Sequence, residues 1–270
     1  MLISATGCAF RSVHRSKHIV YNSNHTNRSA QELNVFAPSK KNGPKPVLIY
    51  LHGGNWNSGN KKLYSYFGSR MARKGVVMVI PDYPKSPKAG YNQMAEDVAT
   101  AVKWVKENIV AYGGDSNRVF ISGHSAGGHL AALVSIKEEY FKNEKIANPV
   151  KGIILIDAAG LDMYTYLKEE QLPPGDTYLT TFSNDPANWK EASPIYFLHK
   201  EVPPMLIYTG GRTYPFISNS NERFTDSLKK QGVKFSYHIL PGKKHVAMIT
   251  QFFNPYNKRY KEIIAFIKEN

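Results

Sequence analysis

The feature that most constrains this chain lies between Val119 and Leu130. An apolar run, Val119-Phe120-Ile121, ends in Gly123-His124-Ser125-Ala126-Gly127, and a helix-like stretch follows. A G-x-S-x-G between a strand and a helix is a tight turn that exposes the serine hydroxyl at the end of a sheet. A hydroxyl is a weak nucleophile, so it must stand where a base can reach it. Bulky residues at Gly123 or Gly127 would clash in such a turn. The N-terminus of the following helix also favours the negative charge that grows during acyl transfer.

Two further segments fit the same chemistry. Val47-Leu48-Ile49-Tyr50-Leu51 reads as a buried strand, and His52-Gly53-Gly54-Asn55-Trp56 follows it. An H-G-G loop upstream of the serine turn supplies backbone donors for an oxyanion. The expected donors are the N–H groups of Gly54, Asn55 and Ala126. His52 is expected to brace the loop rather than act as a base. Downstream, the strand pattern Phe235–Leu240 leads into Pro241-Gly242-Lys243-Lys244-His245, and a base that follows the last strand is expected at His245. His238 lies within that strand and is expected to be a packed or an edge residue. His14, His18, His25 and His199 belong to no constellation.

The coarse order is two strands, then alternating strands and helices, with a long irregular insert before the penultimate strand. That alternation predicts a mainly parallel sheet with helices on both faces. Val98, Ala101, Val102, Val105 and Ile109 recur at helical spacing ahead of the serine strand. Ile263, Ile264, Phe266 and Ile267 do the same near the C-terminus. The insert, about residues 161–190, carries many aromatic and apolar side chains around Pro173-Pro174-Gly175. It is expected to form a small lid lining a modest apolar pocket, with some of its aromatics packed onto the body.

With these residues in view, the chain resembles the α/β-hydrolase esterases of the hormone-sensitive-lipase and kynurenine-formamidase-like groups. The resemblance runs from about Tyr21 to the C-terminus. It takes in Leu33–Pro38, the H-G-G-N-W loop, Pro81-Asp82-Tyr83, Ala95–Val98, Tyr112–Asp115, the serine turn, Ala192–Ile195 and the His245 loop. It implies an α/β-hydrolase domain over residues 18–270, preceded by a segment 1–17, and serine-hydrolase chemistry. One departure stands out. The family usually places its triad aspartate after the penultimate strand, three residues past a glycine. Here that place, after Met205–Thr209 and Gly210, holds Thr213, which cannot supply a negative charge to an imidazolium.

A relocated acid has a candidate. Gly152-Ile153-Ile154-Leu155-Ile156-Asp157 reads as a strand ending in an aspartate at the edge where open α/β sheets gather their functional groups. Some hydrolases of this fold carry their acid after this earlier strand. The expected triad is Ser125, His245 and Asp157. Asp162, Glu222 and a Ser-His dyad remain as alternatives, and turn capping is the other role open to Asp157. Asp82 and Asp115 are expected to be structural.

Composition sets limits. The chain has 270 residues, with no repeats and no low-complexity tracts. No apolar run approaches the roughly 18 residues of a transmembrane helix. The net charge is +14, but the lysines are scattered singly and in pairs, so a solvated basic surface is expected and no nucleic-acid partner. No metal or organic cofactor is expected. The single cysteine, Cys8, follows Ser4-Ala5-Thr6-Gly7 in a pattern like the end of a lipoprotein signal, without its basic and longer apolar parts. Attachment to a bacterial envelope through Cys8 is one expectation and a cytoplasmic protein the other.

The function these features imply is hydrolysis of short acyl or aryl carboxylic esters through an acyl-enzyme on Ser125, with a small ester as substrate and a membrane as partner only if Cys8 carries a lipid. An aryl formamidase shares the machinery. A binding protein on a hydrolase scaffold would account for Thr213.

Overall fold

The computed structural model describes residues 12–22, 31–39 and 42–270. Cys8 lies outside them, as does His25. Eight strands form one sheet in the order β1-β2-β4-β3-β5-β6-β7-β8. They are β1 (Val13–Val20), β2 (Glu32–Pro38), β3 (Lys45–Leu51), β4 (Val77–Pro81), β5 (Gly114–His124), β6 (Val150–Ile156), β7 (Met205–Gly210) and β8 (Phe235–Leu240). β1 and β2 run antiparallel to their neighbours; β3 to β8 pair in parallel. The expected boundary between residues 17 and 18 falls inside β1, so the sheet already takes in the chain from Val13.

The helices are α1 (Ser65–Arg73), α2 (Tyr91–Asn108), α3 (Ala126–Ile136), α4 (Glu139–Asn143), α5 (Met163–Glu169), α6 (Thr177–Phe182), α7 (Pro186–Glu191), α8 (Pro215–Lys230), α9 (His245–Thr250) and α10 (Arg259–Glu269). The central strands carry buried apolar runs, such as Val47–Leu51, Val119–Ile121 and Ile153–Ile156, because both faces are covered there. On β3, Val47, Ile49 and Leu51 join the core beneath α2, α3 and α8, while Leu48 and Tyr50 join the core beneath α1, α9 and α10. The helical stripe read before the serine strand is the buried face of α2, through Val98, Ala101, Val102 and Val105. Among the described residues no helix is long and apolar enough to cross a membrane.

The insert is more ordered than the irregular segment expected. It holds three short helices, each started by an aspartate whose carboxylate accepts a backbone N–H of the first turn. Asp162 takes that of Thr165 at 3.2 Å, Asp176 that of Tyr178 at 2.7 Å and Asp185 that of Ala187 at 2.9 Å. Such caps satisfy donors that a helix start leaves open. Pro173, Pro174 and Gly175 separate α5 from α6. Apolar periodicity is too short to detect in helices of six or seven residues, and this is why the pattern reads as irregular.

Candidate active site

Parallel strands of an open sheet end at one edge, and the loops after them converge there. The turn between β5 and α3 is built around Ser125, whose backbone sits at φ 54° and ψ −124°. Such a conformation costs an L-residue about 1–3 kcal/mol and persists where the surroundings impose it. They do so by close backbone approach. A Cβ on Gly123 would lie 2.1 Å from the Gly127 carbonyl oxygen, and one on Gly127 would lie 2.2 Å from that of Leu51. Glycine at both positions lets strand, turn and helix close on one another.

Two loops meet the serine. His245, the first residue of α9, places Nε2 2.9 Å from Ser125 Oγ and Nδ1 2.6 Å from Asp157 Oδ2. A carboxylate only accepts, so Nδ1 carries the proton and Nε2 faces the hydroxyl as an acceptor. Asp157 is fully buried at the end of β6, with its own backbone at φ 49°. A buried carboxylate is costly unless it is well bonded. Here the Gly210 N–H donates to Oδ1 at 2.7 Å, and the Thr213 hydroxyl donates to Oδ2 at 2.5 Å. The alternatives lie elsewhere. Asp162 caps α5 and pairs with Arg223 at 2.7 Å. Glu222 is exposed on α8.

The loop after β3 forms the opposite wall. The Gly54 carbonyl accepts the N–H groups of Asn57 at 3.1 Å and Ser58 at 2.9 Å, which closes the loop into a turn with Asn55 at φ 49°. Among the described residues outside regular elements, no acceptor takes the N–H groups of Gly54 or Asn55. That of Ala126 opens α3, where a helix has no acceptor of its own. His52 braces this loop, as expected. Its ring stacks on Tyr83 at 4.5 Å, its Nε2 lies 3.3 Å from Asp82 Oδ1, and its carbonyl accepts the Tyr83 hydroxyl at 2.6 Å. Asp82 is also held by buried Lys61 at 2.7 Å, so its role is structural.

Two histidines of the serine turn do more than the sequence showed. The His124 ring stacks on His245 at 4.6 Å, and its Nε2 donates to the His245 carbonyl at 3.1 Å. Burial, and then the neighbouring His245, push its pKa down to about 3, so it packs against the site uncharged. His129 is wholly buried on α3, which lowers its pKa to about 4 against a backbone bond to Ala192 that raises it.

Ser125, His245, Gly54 and Asn55 line one cavity of about 660 Å³. Its walls are apolar: Tyr178 from the insert, Tyr214 and Phe216 at the start of α8, Leu63 and Val246 at the rim. Of these, only Tyr178 was expected. The others sit in segments whose pattern matched ordinary loops and helix starts. Phe182, Met163 and Leu167 of the insert are buried in the main core instead, packing it onto the body. His238 is exposed on the edge strand β8, as read. Among the described residues, no group of three or more His, Cys, Asp or Glu side chains is disposed to hold a metal ion.

With fold and site in hand, comparison with known proteins gives a consistent result. The chain is 28% identical over 255 residues to isoprenylcysteine alpha-carbonyl methylesterase ICME of Arabidopsis thaliana, covering 87% of this chain and 57% of that protein. It is 31% identical over 214 residues to esterase LipQ of Mycobacterium tuberculosis, covering 74% and 50% respectively. The chain thus spans about half the length of these curated relatives. Esterase B from Lactobacillus rhamnosis superposes with a TM-score of 0.80 at 18% identity, over 95% of this chain and 87% of that one. The BD-FAE family profile matches residues 33–221. The chain belongs to the BD-FAE family and has the α/β-hydrolase fold.

Proposed function

We propose that this chain is a serine hydrolase of carboxylic esters. The observation that carries the reading is the continuous hydrogen-bonded line from Ser125 Oγ through His245 to Asp157, at 2.9 and 2.6 Å, opening on an apolar cavity. The relatives named methylesterase and esterase favour ester substrates for this chain too.

In the proposed reaction His245 Nε2 takes the proton of Ser125 as Oγ bonds to the ester carbonyl carbon. The carbonyl oxygen becomes an oxyanion held by the N–H groups of Gly54, Asn55 and Ala126. Asp157 holds the imidazole in its tautomer and balances the imidazolium. His245 then protonates the leaving alkoxide, and the acyl group remains on Ser125. A water deprotonated by His245 attacks the acyl carbon, releases the acid and returns the proton to Ser125. Lining of aromatic and aliphatic side chains on both sides of Ser125 favours uncharged short acyl or aryl groups, with the helices of the insert as a lid.

Hydrolysis of a 4-nitrophenyl ester of a short acid, by the wild type and by Ser125→Ala, tests the reading. Loss of turnover by several orders of magnitude in the variant is expected. Equal rates for the two proteins would overturn it.

A further inference from the structure

The turn after β7 carries Thr213 where the resemblance leads one to expect an acid, and the structure brings that turn back to the acid now in use. β6 and β7 are parallel neighbours with Ile156 opposite Tyr208, so Asp157 lies beside the end of β7. The Asp157 N–H donates to the Tyr208 carbonyl at 2.7 Å. From this anchor its carboxylate reaches across to the β7 turn, where Oδ1 accepts from the Gly210 N–H and Oδ2 from the Thr213 hydroxyl. The turn is itself closed by the Thr213 N–H donating to the Gly210 carbonyl at 3.1 Å. His245 Nδ1 meets the same Oδ2.

We propose that Thr213 is a positioning residue: its hydroxyl fixes the Asp157 carboxylate so that Oδ2 faces His245 Nδ1. This rests on the Ser125–His245–Asp157 reading above. The physical argument is one of degrees of freedom. Gly210 pins only Oδ1, and the other donor on Oδ2 is His245 Nδ1, the group to be positioned. The Thr213 hydroxyl adds a donor on Oδ2 that is held by the β7 turn and not by the imidazole, so the carboxylate plane is set independently of the ring. Asp157 is fully buried, so bulk water is not at hand to replace the missing donor. A hydrogen bond to a charged group is stronger than one between neutral groups. Thr213 thus occupies the family's usual acid position as a donor to a carboxylate supplied by the adjacent strand. An aspartate at position 213 would instead set two carboxylates against each other.

The test compares wild type, Thr213→Val and Thr213→Ser. Valine keeps the shape and removes the hydroxyl; serine restores it. Turnover is measured per active site titrated with a fluorophosphonate, so a partly unfolded fraction does not enter. Thr213→Val is expected to lower kcat about tenfold with KM unchanged, and Thr213→Ser to recover most of the loss. The downfield proton resonance of the His245 Nδ1–H, assigned by its disappearance in Asp157→Asn, is followed in the same three proteins without substrate. It is expected to shift or broaden in Thr213→Val and to return in Thr213→Ser. Wild-type kcat and resonance in the valine variant would overturn the proposal, as would a serine variant as impaired as valine. Wild-type turnover no faster than that of Ser125→Ala would overturn the hydrolase reading instead, and the resonance would then decide the role of Thr213 alone.

Discussion

Trp56 Nε1 donates to His129 Nδ1 over 3.1 Å, and the same imidazole donates through Nε2 to the Ala192 carbonyl at 2.6 Å. One buried ring therefore joins three segments: the loop after β3, the helix behind Ser125 and the end of the insert. Trp56 also packs its edge against Phe182 of α6 at 5.0 Å. The loop that presents Gly54 and Asn55 is thus tied to the insert and to α3 without any contact to a substrate. Trp56→Phe keeps an aromatic ring and leaves His129 Nδ1 buried without a donor. It should cost about 1–3 kcal/mol in a denaturant titration. It should also lower kcat, as the loop loses its tether. An unchanged unfolding midpoint would refute this role for the indole N–H.

Asp157→Asn tests the acid directly. The amide can hold His245 only in the tautomer that directs a proton at Ser125. A loss on the order of 10⁴ in kcat is expected, with the folded state retained by circular dichroism. A loss below tenfold in a folded protein would reduce Asp157 to a turn residue.

Acid stability should show the two buried histidines. Both have pKa values lowered from the ordinary 6.5, His129 to about 4 and His124 to about 3. Between those values and about 6.5 the unfolded chain binds protons that the folded one refuses. Stability is therefore fully present above about pH 6.5 and falls as the pH drops towards 4 and then 3. Each histidine contributes on the order of a few kcal/mol to that loss. His129→Gln, measured by thermal unfolding between pH 4 and 7, should flatten part of the slope. An identical slope in the variant would contradict the assignment.

Phe216 stacks on Tyr214 at 5.9 Å, meets the tilted ring of Tyr166 of α5 at 4.8 Å, and lines the cavity. Phe216→Ala should raise KM several-fold for an ester with an aryl or longer acyl group and change kcat little. Steady-state kinetics on a chain-length series would show it. An equal effect on acetate and on bulkier esters would mean the ring does not contact the substrate.

The serine turn, the H-G-G loop and the histidine after the last strand were legible because each is a short motif with its own local demand. Gly123 and Gly127 must be glycine where backbones touch, and the residue types survive in the order of the chain. Strands β3, β4, β6 and β7 were legible for a similar reason, since a strand covered on both faces is a short, largely apolar run bounded by polar turns. Short helices capped by Asp162, Asp176 and Asp185 carry too few turns for a period to emerge.

The sequence by itself determined the class of fold and the motifs on which the proposed chemistry rests, since both are local patterns. It left the acid open among Asp157, Asp162, Glu222 and none, because a carboxylate says nothing about its distance from an imidazole 88 positions further along the chain. Tertiary structure alone brings Asp157 beside His245, sends Asp162 to a helix cap, and turns Thr213 from a missing acid into a donor. The physical reason is that the register of β6 against β7, and the packing of α9 across the sheet end, set those distances. They arise from many buried contacts spread along the chain, which no single segment contains.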